Sequence, residues 1–220
     1  MNEYRKKVDE LLMEGNIKEA IDFLENYCKA NPEEIHAKFD CALFLQNNTI
    51  YADGYLDSLD LLREILEIDP FNINAVVLNA FIEFIEMGII SEFSIKKIQE
   101  CLNFKNEDII FKQLYVLKAL YFYKQDKNEE YITALNESIH IDPEASYNNY
   151  LQGERLRAKG EASNAIKYFR KALANVKVIY SVTDTISHID FNEYVNEHLR
   201  GTSISGVNYE ALLEAASIEQ

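Results

Sequence analysis

Tyr147-Asn-Asn-Tyr150-Leu-Gln-Gly153-Glu-Arg-Leu156, a break at Lys159-Gly160-Glu161, and then Ala165-Ile-Lys-Tyr-Phe169-Arg-Lys-Ala172-Leu173 read as helix, turn and helix. Ala165, Phe169, Ala172 and Leu173 recur at the spacing that puts them on one helix face. Gly153 is the small residue that lets the second helix approach the first. Gly160 can take the left-handed backbone that closes a helix, and Ser163 or Glu161 can open the next one. Such a hairpin buries its apolar stripe by stacking on neighbours of the same kind, so the stretch predicts more of them.

Working outward, the chain has three prolines, and each closes an amphipathic segment: Asn31-Pro32, Asp69-Pro70 and Asp142-Pro143. The first gap is close to one ~34-residue helical-hairpin period; the second is about two periods with a short insertion. A first hairpin runs to about Pro32, with Tyr4, Val8 and Leu11 on one helix, a turn at Glu14-Gly15-Asn16, and Ala20, Leu24, Tyr27 and Cys28 on the next. A second spans roughly 35–70, with Ala42 as its small residue and a lengthened turn through Asn47–Gly54. The third, about 73–107, is the most degenerate: Ala80 in its first helix, a stop at Met87-Gly88, and Ile95, Ile98, Cys101 and Leu102 in its second. The fourth, about 109–143, carries Ala119 and Phe122, a turn at Gln125-Asp126-Lys127-Asn128, then Tyr131, Leu135 and Ile139. With the fifth, residues 1–177 form five hairpins of an all-α solenoid. Residues 178–220 break the pattern. Ile186, Ile189, Tyr194, Val195 and Leu199 make a helical stripe, Gly201 stops it, and Tyr209–Ala216 forms a short last helix. Their expected role is a helical C-terminal cap over the last apolar face.

Gly153 with the Ala165-x-x-x-Phe169 step resembles the tetratricopeptide repeat family, whose pattern combines a small residue, A-x-x-x-F and a closing Pro. The fifth hairpin departs from it in places. Asn149 stands for the family's Trp, Leu156 for its Tyr, and Lys177 for its closing Pro. The resemblance implies a right-handed α-solenoid whose first helices line a concave groove. It places Phe39, Asp40 and Leu43, then Val77, Leu78 and Phe81, then Val116, Leu117, Leu120 and Tyr123, and finally Tyr150, Leu151 and Glu154 on that groove. The expected role is a non-enzymatic adaptor or scaffold that takes a protein or peptide there. The set is too apolar for the family's chaperone-tail clamp, which uses Lys, Arg and Asn; only Arg5 and Lys6 hint at one, beside Asp9 and Asp40 of the wrong sign. An apolar groove needs a cover: an amphipathic helix from a partner, the chain's own last helix, or tight packing between neighbouring helices.

The net charge of −15 argues against nucleic acid and against an anionic membrane surface. It suits a basic protein partner, or only solubility. An acidic inhibitor or immunity-type protein that neutralises a basic enzyme is the alternative function, and homo-oligomeric assembly a further one. Cys28, Cys41 and Cys101 form no C-x-x-C pair and are odd in number, which predicts reduced, buried thiols. The first residues run into an amphipathic pattern with no apolar signal core, and no stretch is apolar enough to span a bilayer, so a soluble cytoplasmic protein is expected. No phosphate loop, nucleophile elbow or zinc-protease motif occurs, and no catalytic residue or cofactor is predicted. His188, Asp190, Glu193, Glu197 and His198 are the nearest approach to a divalent-cation site, but a solvated acidic helix explains the same residues and no metal is expected.

Overall fold

The structure, a computed structural model, describes residues 3–47, 53–104, 110–175, 191, 194 and 195. Among them are ten α-helices and no strand. They are α1 (Glu3–Met13), α2 (Ile17–Ala30), α3 (Ile35–Asn47), α4 (Gly54–Ile68), α5 (Ile73–Met87), α6 (Glu92–Leu102), α7 (Ile110–Lys124), α8 (Asn128–Ile141), α9 (Ser146–Ala158) and α10 (Ala162–Ala174). The fold is therefore the expected all-α array of helical hairpins. It forms two compact units, one holding α1–α5 and the other α6–α10 with residues 191, 194 and 195. In the first unit each helix packs on the next, and α5 also meets α3. In the second, α6 packs on α7, α7 on α8, α8 on α9 and α9 on α10. The predicted hairpins α1/α2 and α3/α4 lie in the first unit, and α7/α8 and α9/α10 in the second. The third predicted pair, α5 and α6, has one helix in each. Among the described residues no helix is long and apolar enough to cross a membrane.

Three of the turns inside hairpins are the same turn. After α1 the Gly15 N–H donates to the Leu12 carbonyl at 2.9 Å and the Asn16 N–H to Leu11 at 2.8 Å. After α9 Gly160 and Glu161 repeat this with Arg157 and Leu156, both at 2.9 Å. After α7 Asp126 and Lys127 repeat it with Tyr123 and Phe122, at 3.2 and 3.0 Å. This bond pair is the Schellman closure, and it places one residue in the left-handed region. Gly15 and Gly160 sit there at φ 78°, with nothing within 4 Å of where a Cβ would stand. Asp126 takes the same place at φ 56° and carries the Cβ penalty that glycine avoids. Asp126→Gly is expected to stabilise the protein by about 0.5–1 kcal/mol, because the relief outweighs glycine's extra chain entropy. Urea denaturation checks this; an unchanged or lowered midpoint would mean that Asp126 is unstrained.

The joints after each proline-closed helix also repeat. Asn31, Asp69 and Asp142 leave the helix with extended backbone, at ψ 68°, 90° and 90°, since a residue before proline is excluded from helical geometry. Each returns its N–H to the carbonyl four residues back: Tyr27, Ile65 and Ser138. Each carbonyl then accepts a bond three residues on, from Glu34, Asn72 and Ala145, which closes a turn around the proline. The Asp69 and Asp142 carboxylates also accept the N–H groups of Phe71 and Glu144. Two further helix starts are side-chain capped: Asn72 accepts from the Ala75 N–H and Ser91 from the Ser94 N–H.

Packing within hairpins is close. A Cβ on Gly153 would lie 2.6 Å from two ring carbons of Phe169, so α9 meets α10 through that glycine. Ser58 on α4 donates to the Ala42 carbonyl on α3, and Ser138 on α8 to the Lys112 carbonyl on α7, each at 2.8 Å. Two lysines are buried with these contacts. Lys38 on α3 pairs with Glu64 on α4, and Lys112 on α7 pairs with Asp142 at 2.5 Å. A buried ammonium needs such a partner, since losing it would leave an uncompensated charge.

Candidate functional site

In the first unit the predicted groove residues lie on α3 and α5. Phe39 is half-buried. Asp40 is buried and spoken for: it accepts from the Tyr4 hydroxyl at 2.8 Å and from Arg5 Nε at 2.6 Å and Nη2 at 2.8 Å. Burial pushes its carboxyl above the usual range, against the pull of Arg5 and Tyr4. That internal ion pair takes up Arg5, the one clamp-like arginine of the first hairpin. Leu43 is buried, and Val77, Leu78 and Phe81 are fully buried. All of Ala75–Phe84 is buried. A helix with one open face would expose a residue every three or four positions, so α5 is covered around its whole girth. Even Asn79 and Glu83 are inside, bonded to one another at 3.3 Å.

In the second unit Val116, Leu117 and Leu120 on α7 and Tyr150 and Leu151 on α9 are fully buried. Tyr150 stacks on Tyr147 and meets Phe169. Glu154 is buried and pairs with Arg157 at 3.0 Å, while Tyr123 is partly exposed. Tyr194 and Val195, from the predicted cap, belong to this unit and are fully buried. Of the thirteen residues predicted for the groove, eleven are buried, and Phe39 and Tyr123 are partly exposed. The rest of the predicted cap, with Ile186, Ile189, Leu199, the Tyr209–Ala216 helix and the residues weighed for a cation, lies outside the described residues, apart from Phe191. Among the described residues no cluster of three metal-ligating side chains occurs.

Tyr123 and Glu154 meet at one cavity of about 390 Å³, bounded by the end of α7, the start of α8 and the end of α9. Its wall holds the Tyr123–Tyr131 pair, edge to face at 5.6 Å, with Ile132. Its rim carries Arg155, Arg157 and Lys159, a basic cluster in an acidic protein. Burial pushes the Tyr131 hydroxyl well above its ordinary range, so it stays protonated at any working pH. An aromatic wall with a cationic rim can hold an apolar side chain beside an anionic group. Sequence reasoning missed the rim, because Arg155, Arg157 and Lys159 come at alternate positions at the end of α9, which share no helix face and match no motif. A second cavity, of about 450 Å³, lies in the first unit between α2, α3 and α4, and Cys28, Cys41 and Lys38 line it. A third, of about 870 Å³, lies between α6, α7 and α8, with Tyr115 and Phe122 beside Glu129, Glu130 and Glu137.

Solved structures with this fold exist. The chain is similar to MamA (18% identity, 80% of this chain and 95% of that one covered, TM-score 0.57). It is similar to MamA from Desulfovibrio magneticus RS-1, residues 41 to the end (16% identity, 78% and 92% covered, TM-score 0.61). It is also similar over nearly its whole length to PilW, a widely conserved type IV pilus biogenesis factor (15% identity, 97% and 100% covered, TM-score 0.62). At these identities the likeness establishes a tetratricopeptide-like helical repeat fold, and fold alone. No family model matches the chain, and no curated protein matches it.

Proposed function

We propose that the chain is a non-enzymatic protein-interaction module, an adaptor or scaffold, whose partner seats a side chain in the cavity between Tyr123, Tyr131 and the Arg155–Arg157–Lys159 rim. The observation that carries this is the convergence there of Tyr123 and Glu154, two residues that the repeat pattern assigns to the ligand side. The helical repeat fold supports it, and so does PilW, a protein of like fold that serves an assembly process. The fully buried residues of the predicted groove then act as its scaffold, and the partner contact moves to where the first helices end.

A second reading, an acidic inhibitor of a basic enzyme, is favoured by α4. Its exposed Asp57, Asp60, Glu64 and Glu67 recur along one helix face. The same experiment separates the two. The purified chain is cross-linked to its partner in native lysate, beside Tyr123→Ala/Arg157→Glu and Asp57→Lys/Asp60→Lys variants. The adaptor reading expects the first pair to lower capture at least tenfold while circular dichroism stays that of the parent. Loss with the second pair alone, together with parental capture that high salt weakens, would replace it with the inhibitor reading. Capture unchanged in both variants would end both.

A further inference from the structure

Cys28 near the end of α2 and Cys41 in the middle of α3 stand thirteen positions apart and belong to no sequence motif. The fold brings them together. Both line the 450 Å³ cavity of the first unit, with Lys38 beside them, and both sit in the apolar cluster that joins α1, α2 and α3. Cys28 is 6% exposed and Cys41 1%, so the cavity is their route to solvent. The two helices that carry them pack on one another. The Cys41 S–H holds the Cys28 thiol below its ordinary range; burial opposes this and the Lys38 ammonium assists it. The same contact, with burial, pushes Cys41 up. Cys28 is the more exposed of the two, so an oxidant entering the cavity meets its sulfur first, with Cys41 behind it. That is the division of labour between an attacking and a resolving cysteine.

We propose that Cys28 and Cys41 are a peroxide-responsive dithiol that closes reversibly to a disulfide between α2 and α3. Glu25, Asp57, Asp60 and Glu64 line the cavity against Lys29 and Lys38, and this net negative lining disfavours anionic oxidants and admits a small neutral hydroperoxide. Cys28 thiolate attacks one peroxide oxygen, the O–O bond breaks, and the departing hydroxide takes a proton to leave as water. Cys28 is now a sulfenic acid. The Cys41 sulfur then attacks the Cys28 sulfur, the S–O bond breaks, and the thiol proton leaves with the oxygen as a second water. Two thiols have lost two electrons and one hydrogen peroxide has gained them. The bond joins the second helix of the first hairpin to the first helix of the second. Exogenous dithiol reverses it by exchange.

The test uses the full chain and a few equivalents of hydrogen peroxide, followed by denaturation, alkylation and peptide mapping. Three free thiols are expected before oxidation. Afterwards one is expected, Cys101, with a mass loss of two hydrogens and a linked Cys28–Cys41 peptide, and dithiothreitol should restore all three. Cys41→Ser should trap sulfenic acid on Cys28, seen as a dimedone adduct there and not on Cys101. The wild-type map decides alone if a variant fails to fold. Three alkylated thiols after peroxide, links only between molecules, or oxidation of Cys101 as fast as Cys28 would each overturn the proposal.

Discussion

Phe81→Glu and Leu120→Glu should each abolish the folded state. Both side chains are 0% exposed, and Phe81 lies within the unbroken buried run Ala75–Phe84. A carboxylate there has neither water nor an added cation. Whether it stays ionised or takes up a proton at a cost in pKa, the penalty is several kcal/mol. The lost aromatic or aliphatic packing adds about 2–5 kcal/mol. Domains of this size have roughly 5–15 kcal/mol in all. Far-UV circular dichroism and a urea melt read the outcome. Phe81→Leu serves as the mild control. A Phe81→Glu protein with the parental midpoint would show that this face of α5 is open to solvent, and would return the partner contact to the centre of the predicted groove.

Gly153→Leu comes next in size. The close approach of Phe169 leaves no room even for a methyl group, so Gly153→Ala is expected to cost about 1–3 kcal/mol and Gly153→Leu more. The obstacle is one ring, which makes the effect separable. Shortening that ring by Phe169→Leu creates space at its own cost. The double variant Gly153→Ala/Phe169→Leu should therefore lose about 1 kcal/mol less than the two single losses combined. Strict additivity in urea melts would show that the two positions do not meet and that the register of α9 on α10 differs from the one described.

These two positions show what was legible in the sequence. Gly153 and Phe169 were readable because a helix pair brings their spacing into contact through local geometry. Gly15, Gly160 and the three prolines were readable for the same reason: backbone chemistry acts over a few residues. The turn at Asp126 was placed correctly, yet its left-handed backbone was hidden, since aspartate does not announce that conformation. Contacts set by packing over longer separations were out of reach. Nothing in the chain announces that Lys38 faces Glu64, that Lys112 faces Asp142, or that Cys28 faces Cys41. The burial of α5 was hidden too: Asn79, Glu83 and Glu86 fall at i, i+4 and i+7, the polar stripe of a helix with one open face, yet Asn79 and Glu83 are inside. The cavity at Tyr123 needed three helix ends to meet, and only two of its residues carried a repeat signature.

The full burial of Tyr194 and Val195 bears on the order of events during synthesis. Helices that pack on their immediate sequence neighbours close quickly and can do so as the chain emerges, N-terminal hairpins first. The second unit cannot finish on that schedule. Its last hairpin ends at Ala174, but the buried Tyr194 and Val195 are made later. Until they arrive, the surface they occupy stays open to the surrounding solution. A ribosome that stalls or terminates between these points releases a chain without these two buried side chains, and the surface they cover is then open to chaperones and proteases.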